Sequence, residues 1–255
     1  MFVACSTLCF SKEPLESALR HLAELEFNKI DLAIVENSPH LRPSEVAENP
    51  EAALHRIRYG PSLTPSALDL DFGTDLDLKT LRKRFEAMCR LAKPLTVAVL
   101  TIQAAPLGTP FDDEVLRLRE LSEVATREGL VLAAETHSQT LTADPATAVA
   151  LCKAVPGLGL TLDPSHYIHG PHQGGSFDEV YPFVQNVHLR DTGRQPGDFQ
   201  VRVGQGEVEY GRIVSQLERY GYDRALTVSI FDSLESPFDN EVEVRKLKLL
   251  LESLI

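Results

Sequence analysis

Strand-like and helix-like segments alternate regularly along this chain, and this alternation limits the folds that it can adopt. Aliphatic, β-branched runs such as KIDLAIV at 29–35 and LTVAVLTI at 95–102 alternate with segments such as 76–92, in which apolar residues recur at helical spacing. Short β-branched runs are typical of strands, and an apolar repeat of three to four residues is typical of amphipathic helices. The alternation predicts parallel strands joined by right-handed helical crossovers.

Eight strand segments can be read from the sequence, each followed by a helical stretch. The third is the weakest, because Pro65 lies within it. Eight such units in 255 residues favour an α/β fold of one closed (β/α)₈ TIM barrel spanning 1–255, and no glycine-rich nucleotide fingerprint follows any strand. The predicted strands are 3–10, 29–35, 62–70, 95–102, 130–135, 158–163, 186–191 and 225–231. The predicted helices are 14–25, 43–57 with a break near Pro50, 76–92, 111–129, 144–155, 176–185, 210–221 and 239–255.

Composition and charge argue against several classes of partner. The net charge of −12, from 25 basic and 37 acidic residues, disfavours a nucleic-acid-binding surface. No apolar run approaches the roughly 20 residues of a membrane span, so no membrane partner is expected. The amino terminus lacks the basic segment of a signal peptide, which makes the cytoplasm the expected compartment. The scattered cysteines are predicted to be buried thiols: Cys5, Cys9, Cys89 and Cys152.

Ionisable residues cluster at the ends of three consecutive predicted strands. Glu135 ends the fifth strand with His137 close behind, and Asp163 ends the sixth, followed by His166. His188 lies in the seventh strand. Because the carboxyl ends of barrel strands meet at one mouth, we predict a divalent metal site for Mn²⁺, Mg²⁺, Co²⁺ or Zn²⁺ formed by Glu135, Asp163 and His188. The alternative is that each acid pairs with an arginine or caps a turn.

The same stretch of the chain resembles a known family. The strand that ends in Glu135 is followed by LDPSH, VHLRD and GQGEVEY, a combination that is densest over residues 130–210. This pattern resembles the sugar phosphate isomerase/epimerase family, the xylose isomerase-like TIM barrels. The resemblance implies that Glu135 is a metal ligand and the catalytic acid/base, and that Asp163 and His188 are the other ligands.

The resemblance also implies substrate contacts. In ketose epimerases of this family, a histidine three residues after the aspartate and an arginine six residues after the seventh-strand histidine contact substrate oxygens. His166 and Arg194 stand at those spacings. For Arg194, a solvated loop charge is an equally good interpretation. We also place His137 among the substrate-binding candidates, because it shares a strand face with Glu135.

The eighth strand departs from the family pattern. The family usually places a second glutamate there, as fourth ligand and as the opposing base, whereas this chain has Ser229. Asp232 and Glu235 lie further along and would have to fold back to replace it. This predicts a site with three protein ligands and disfavours a two-base epimerisation.

The expected activity is metal-dependent isomerisation or epimerisation of a small polyhydroxylated carbonyl compound, a sugar or polyol. A divalent metal would polarise the carbonyl, and Glu135 or His166 would remove the adjacent proton. Returning the proton to the neighbouring carbon is isomerisation, whereas expelling a hydroxyl is dehydration of the inosose or dehydroshikimate type. The late strands carry no Lys- or Arg-rich phosphate cradle, which predicts an unphosphorylated substrate.

Two further alternatives follow from particular residues. A nuclease of this superfamily needs additional histidines, but Gln103 and Gln200 occupy the corresponding strand-end and loop positions. The loss of the eighth-strand glutamate at Ser229 leaves open a degenerate barrel that binds a sugar without turnover. The oligomeric state is also open, a homodimer included.

Overall fold

The computed structural model of this chain describes residues 1–74, 76–232 and 238–255. Eight strands pair in chain order, all parallel, and the first pairs with the last to close a barrel. The predicted (β/α)₈ TIM barrel is therefore confirmed. The strands are β1 (Phe2–Ser6), β2 (Lys29–Val35), β3 (Thr64–Asp71), β4 (Val99–Gln103), β5 (Val131–Glu135), β6 (Leu158–Leu162), β7 (Val184–Leu189) and β8 (Ala225–Val228).

Several of the helices begin at a residue whose side chain caps the first turn. At the start of α6, the Asp144 side chain accepts a hydrogen bond from the Thr147 amide and Pro145 occupies the first turn. Asp77 caps α4 in the same way. The α-helices are α1 (Leu15–Glu24), α2 (Pro43–Glu48), α3 (Pro50–Arg58), α4 (Leu78–Ala92), α5 (Phe111–Arg127), α6 (Pro145–Ala154), α7 (Pro164–His169), α8 (Tyr210–Arg219) and α9 (Asn240–Glu252).

Several segments differ from the sequence prediction; β4 begins at Val99 and not at 95, and β8 ends at Val228 and not at 231. The first strand ends at Ser6, and the rest of the predicted strand forms a 3₁₀ helix, Thr7–Phe10. The helix predicted over 176–185 is a 3₁₀ helix, Asp178–Phe183, with Pro182 inside it; proline lacks the amide that an α-helix requires there. The short helix α7 was not predicted, because six residues are too few to show a helical repeat.

The barrel has a narrow interior and a larger apolar layer between the strands and the outer helices. Small side chains fill the lower interior, where Ala67, Val99 and Ala133 form a buried cluster. The predicted cysteine state is confirmed, since all four thiols are free and buried. Within the described ranges, the structure contains no helix with the length and apolar character needed to cross a membrane.

Candidate metal centre

Three strands bring Glu135, Asp163 and His188 together at the carboxyl end of the barrel. Each offers one ligand atom, these atoms lie within 4.8 Å of one another, and all three residues are buried. Glu135 is the last residue of β5, Asp163 follows β6, and His188 lies near the end of β7. The predicted ligands therefore converge.

One pair of ligand atoms in this group has the spacing of two neighbouring metal ligands. His188 Nδ1 lies 3.0 Å from Glu135 Oε1. Two ligands bound at right angles to an ion, each at about 2.1 Å, would lie about 3.0 Å apart. The donor set of two carboxylates and one imidazole suits a divalent cation of the Mn²⁺, Mg²⁺, Co²⁺ or Zn²⁺ type.

His188 is oriented by a carboxylate that the sequence analysis missed. Its Nε2 lies 2.9 Å from Asp31 Oδ2 on β2, and the Asn186 amide donates to the same oxygen at 2.9 Å. Metal-binding histidines typically donate their second ring N–H to such a partner, which fixes the ring and frees the other nitrogen. The available signal was a lone acid within the apolar strand KIDLAIV.

The two carboxylates that flank His188 set its protonation. Burial alone would lower the pKa of His188, but the hydrogen bonds and charges of Asp31 and Glu135 raise it well above the ordinary value. Burial alone would raise the pKa of Glu135, whereas its hydrogen bond to His188 brings that pKa below the ordinary value. Glu135 is thus ionised at neutral pH.

Both carboxylate oxygens of Asp163 have partners at the end of the strand. Oδ1 accepts hydrogen bonds from the Ser165 amide at 3.0 Å and the Ser165 hydroxyl at 2.5 Å, which caps α7. Oδ2 is paired with the guanidinium of Arg190. Burial would raise the pKa of Asp163, but the Arg190 charge and other neighbours lower it to about 2. Both alternatives that the sequence left open, an arginine pair and a turn cap, occur at this one ligand.

His166 presents a hydrogen-bond donor to the site. Its Nδ1 accepts from the Ser138 backbone amide at 3.2 Å, so the proton of the neutral ring lies on Nε2, which is 3.9 Å from Asp163 Oδ2. Burial lowers the pKa of His166 to about 4. The half-buried ring of His137 packs on it with ring centroids 4.0 Å apart. The structure thus brings two of the three predicted substrate-binding residues to the mouth.

Arg194 has a different environment. Its side chain is 49% exposed and forms an ion pair with Glu207 at 2.9 Å. This contact agrees with the solvated loop charge that the sequence left as the alternative interpretation.

The eighth strand adds no carboxylate to the group within the described ranges. Ser229 is buried, and its backbone amide donates to Leu189 at 2.8 Å. Asp232 pairs with Lys12 at 2.7 Å, and Glu235 lies outside the described residues.

A cavity of about 230 Å³ lies at the opposite end of the barrel, between the starts of several strands, and its lining includes Phe2, Lys29, Thr64 and Arg224. Chemistry in barrels of this kind is built at the carboxyl ends of the strands. The candidate site is therefore the buried acidic group and not this cavity.

Comparisons with known proteins agree with the barrel fold. A family model described as xylose isomerase-like TIM barrel matches residues 19–252. A comparison with curated protein sequences gives no significant match.

Solved structures share the fold at low sequence identity. The probable 3-DHS dehydratase AsbF from Bacillus anthracis aligns with a TM-score of 0.75 and 17% identity over 99% of both chains. A xylose isomerase-like TIM barrel protein from Mycobacterium smegmatis in complex with magnesium aligns with a TM-score of 0.78 and 18% identity over 99% of this chain and 97% of that one. A D-psicose 3-epimerase aligns with a TM-score of 0.75 and 14% identity over 100% of this chain and 99% of that one. Likeness at these identities establishes the fold alone.

Proposed function

The chain belongs to the xylose isomerase-like TIM barrel family, and from that membership and the site we propose a metal-dependent enzyme that removes a proton beside the carbonyl of a small polyhydroxylated compound. One observation carries the proposal: the buried Glu135–Asp163–His188 group, in which His188 turns Nδ1 toward Glu135.

The charges of the site support a divalent cation. The carboxylates of Asp31, Glu135 and Asp163 are buried together with one guanidinium, that of Arg190. Buried like charges are costly without a counter-charge. Three carboxylates and one guanidinium leave two negative charges. In the metal-free site the proton that Asp31 and Glu135 keep on His188 offsets one of them, and a divalent cation that displaces this proton would offset both. Bound to Glu135, Asp163 and His188, the cation would supply Lewis acidity to polarise a substrate carbonyl.

Glu135 and His166 have different roles in the proposed proton transfer. Glu135 is ionised at neutral pH and is the candidate base. His166 is neutral and carries its proton on Nε2, which suits a donor of a hydrogen bond to a substrate oxygen and not a base. The proposal therefore gives the base role to Glu135 and a donor role to His166.

The eighth strand favours reactions that need one base. Ser229 offers no carboxylate opposite Glu135, and an epimerisation with a base on each face of the carbon is disfavoured. Aldose–ketose isomerisation can return the proton from the base that removed it. Dehydration is the second candidate, supported by the Nε2–H of His166, which would hydrogen-bond to a departing hydroxyl.

Solvent exchange tests the proposal. The protein is incubated in D₂O with Mg²⁺ or Zn²⁺ and a panel of ketoses, aldoses and inososes, and deuterium entry at the carbon beside the carbonyl is followed by NMR. E135Q should slow exchange by about 10²- to 10⁴-fold, the usual contribution of a general base. The matched control is E123Q, on the exposed face of α5.

Two results would count against the proposal. If deuterium entered the substrate as fast with E135Q as with the wild type, Glu135 would not be the base. Binding of a sugar with no exchange by the wild type under any metal would favour the non-catalytic barrel.

A further inference from the structure

Arg190 is a buried guanidinium with donors left over. It follows β7, two residues after His188, and its side chain is fully enclosed. Nη2 pairs with Asp163 Oδ2, whereas Nε and Nη1 have no hydrogen-bond partner among the residues that the structure describes. Leaving buried charged donors unsatisfied costs more than leaving neutral ones, so the unused donors call for an explanation.

Two aromatic rings hold the guanidinium in place. The Arg190 Cζ lies 4.9 Å from the ring centroid of Phe199 and 4.4 Å from that of Phe231. Gln200 joins the two loops, because its side-chain amide donates to the Phe231 carbonyl at 2.9 Å and accepts from the Phe231 amide at 2.7 Å. We call Phe199, Gln200 and Phe231 the aromatic clamp. The clamp restrains Arg190 before any ligand binds, which reduces the entropy lost on binding.

The clamp is part of the mouth. The Phe199 ring also packs on His166 at 4.9 Å, and Phe231 is 37% exposed. Arg190 itself touches a candidate metal ligand, Asp163. Because Nε and Nη1 are themselves enclosed, a group that binds them has to displace the partly exposed Phe231 ring, and it would then lie beside both the metal group and the His166 donor.

The chemistry of a guanidinium identifies the group that it would bind. Each edge of the planar guanidinium that matches the two oxygens of a carboxylate includes Nη2, so a carboxylate would use the second N–H of Nη2 together with Nε or Nη1, whereas one hydroxyl meets only one donor. We propose, resting on the proposed function, that Arg190 binds a carboxylate of the substrate, so that the substrate is a polyhydroxylated acid and not a neutral sugar.

A matched pair of probes tests this assignment. D-gluconate and D-glucitol share a hydroxylated six-carbon chain and differ in one terminal carboxylate. Their binding is measured by titration calorimetry, with and without Mg²⁺, on the wild type, R190Q, R190K and the control R202Q. Arg202 is an exposed arginine of the loop that follows β7. Inorganic phosphate is titrated in parallel.

The wild type and R202Q should prefer gluconate by about tenfold, the value of one charge-assisted pair, and R190Q should bind both compounds within about twofold. R190K keeps the charge without the fork and should fall between them. If R190Q does not fold, R190K and the wild-type preference decide.

Several results would overturn the assignment. The first is equal binding of the two compounds by the wild type, which includes the case in which neither binds detectably. The second is a preference for gluconate that persists in R190Q. The third is phosphate binding that is tighter than gluconate binding. Binding of Mn²⁺, Mg²⁺, Co²⁺ and Zn²⁺ by the wild type is measured separately. Failure of all four to bind, with the gluconate preference intact, would reject the metal-dependent function and leave the Arg190 assignment standing.

Discussion

At the scale of single residues, the site depends on acids placed inside the barrel as much as on those at its mouth. Asp31 is fully buried and holds His188 from below, through the nitrogen that faces away from Glu135. Thr101 and Asn186 line the same layer, with the Asn186 amide 3.4 Å from the Thr101 hydroxyl. A polar floor of this kind leaves the ring of His188 little freedom to turn.

Replacing Asp31 should therefore weaken metal binding without removing a ligand. We expect D31N to raise the dissociation constant for Mn²⁺ by about 10- to 100-fold, the usual effect of losing the carboxylate behind a metal-bound histidine. Mn²⁺ binding is followed by electron paramagnetic resonance, with D178N as control, since the Asp178 side chain is 45% exposed. An unchanged constant in folded D31N would show that His188 needs no such partner.

A second interior acid gives a pH-dependent prediction. Desolvation raises the pKa of the half-buried Asp69 to about 8, and although the His188 charge opposes this shift, the charges of Glu135 and Asp31 add to it. The native state then keeps a proton that the unfolded chain releases near pH 4, so this group destabilises the fold increasingly as the pH rises from about 4 to 8.

The variant D69N removes that penalty. In metal-free protein, we expect its melting temperature to exceed that of the wild type at pH 8 and the difference to shrink toward pH 5. Thermal unfolding in buffers across this range measures it. A constant difference, or one that grows at low pH, would contradict the raised pKa.

At the scale of elements, β7 and its following loop carry most of the unusual chemistry. Asp191, directly after Arg190, accepts hydrogen bonds from the Gly204 amide at 2.7 Å and the Gly206 amide at 3.0 Å. These bonds fold the loop back on the strand end, and the loop carries Phe199 of the aromatic clamp. The shape of this loop therefore depends on the close approach of its backbone amides to the Asp191 carboxylate.

A methyl group on Gly206 would break this packing. An added Cβ would lie 2.1 Å from Asp191 Oδ1 and 2.5 Å from the Thr192 carbonyl. G206A should destabilise the protein by about 1–3 kcal/mol, as overpacking usually does. The control is G211A in α8, where a Cβ meets nothing within 4 Å. Because alanine favours helix, G211A should stabilise by about 0.5–1 kcal/mol. Denaturant unfolding measures both, and equal effects would reject the close packing at Gly206.

At the scale of the whole molecule, closure of the barrel brings together residues far apart in the chain. Asp31 and His188 are separated by 157 positions, and the pairing of β1 with β8 completes the ring around them. Metal binding to such a group stabilises the closed barrel, since the unfolded chain does not hold the ligands together.

Metal should therefore raise the melting temperature. At a concentration one hundred times its dissociation constant, a bound cation adds about 2.7 kcal/mol, which corresponds to roughly 5 to 10 °C for a chain of this size. Differential scanning fluorimetry with each divalent cation measures the shift. A chelator should reverse it and E135Q should lack it. An equal shift in E135Q would place the metal elsewhere.

Local patterns in the sequence predict the barrel and the three residues of the candidate metal group. Strand and helix periodicities are local, and the topology of parallel strands brings every strand end to one mouth, so Glu135, Asp163 and His188 could be identified from their positions alone. The hydrogen-bond and ion-pair partners of these residues depend on the tertiary structure. Asp31 and Asp69 read as ordinary strand residues until closure turned them inward, and the pairing of Asp163 with Arg190 required two strands to be side by side. Hydrogen bonds and charges between distant strands depend on distances of a few ångströms, which no local pattern in the chain records.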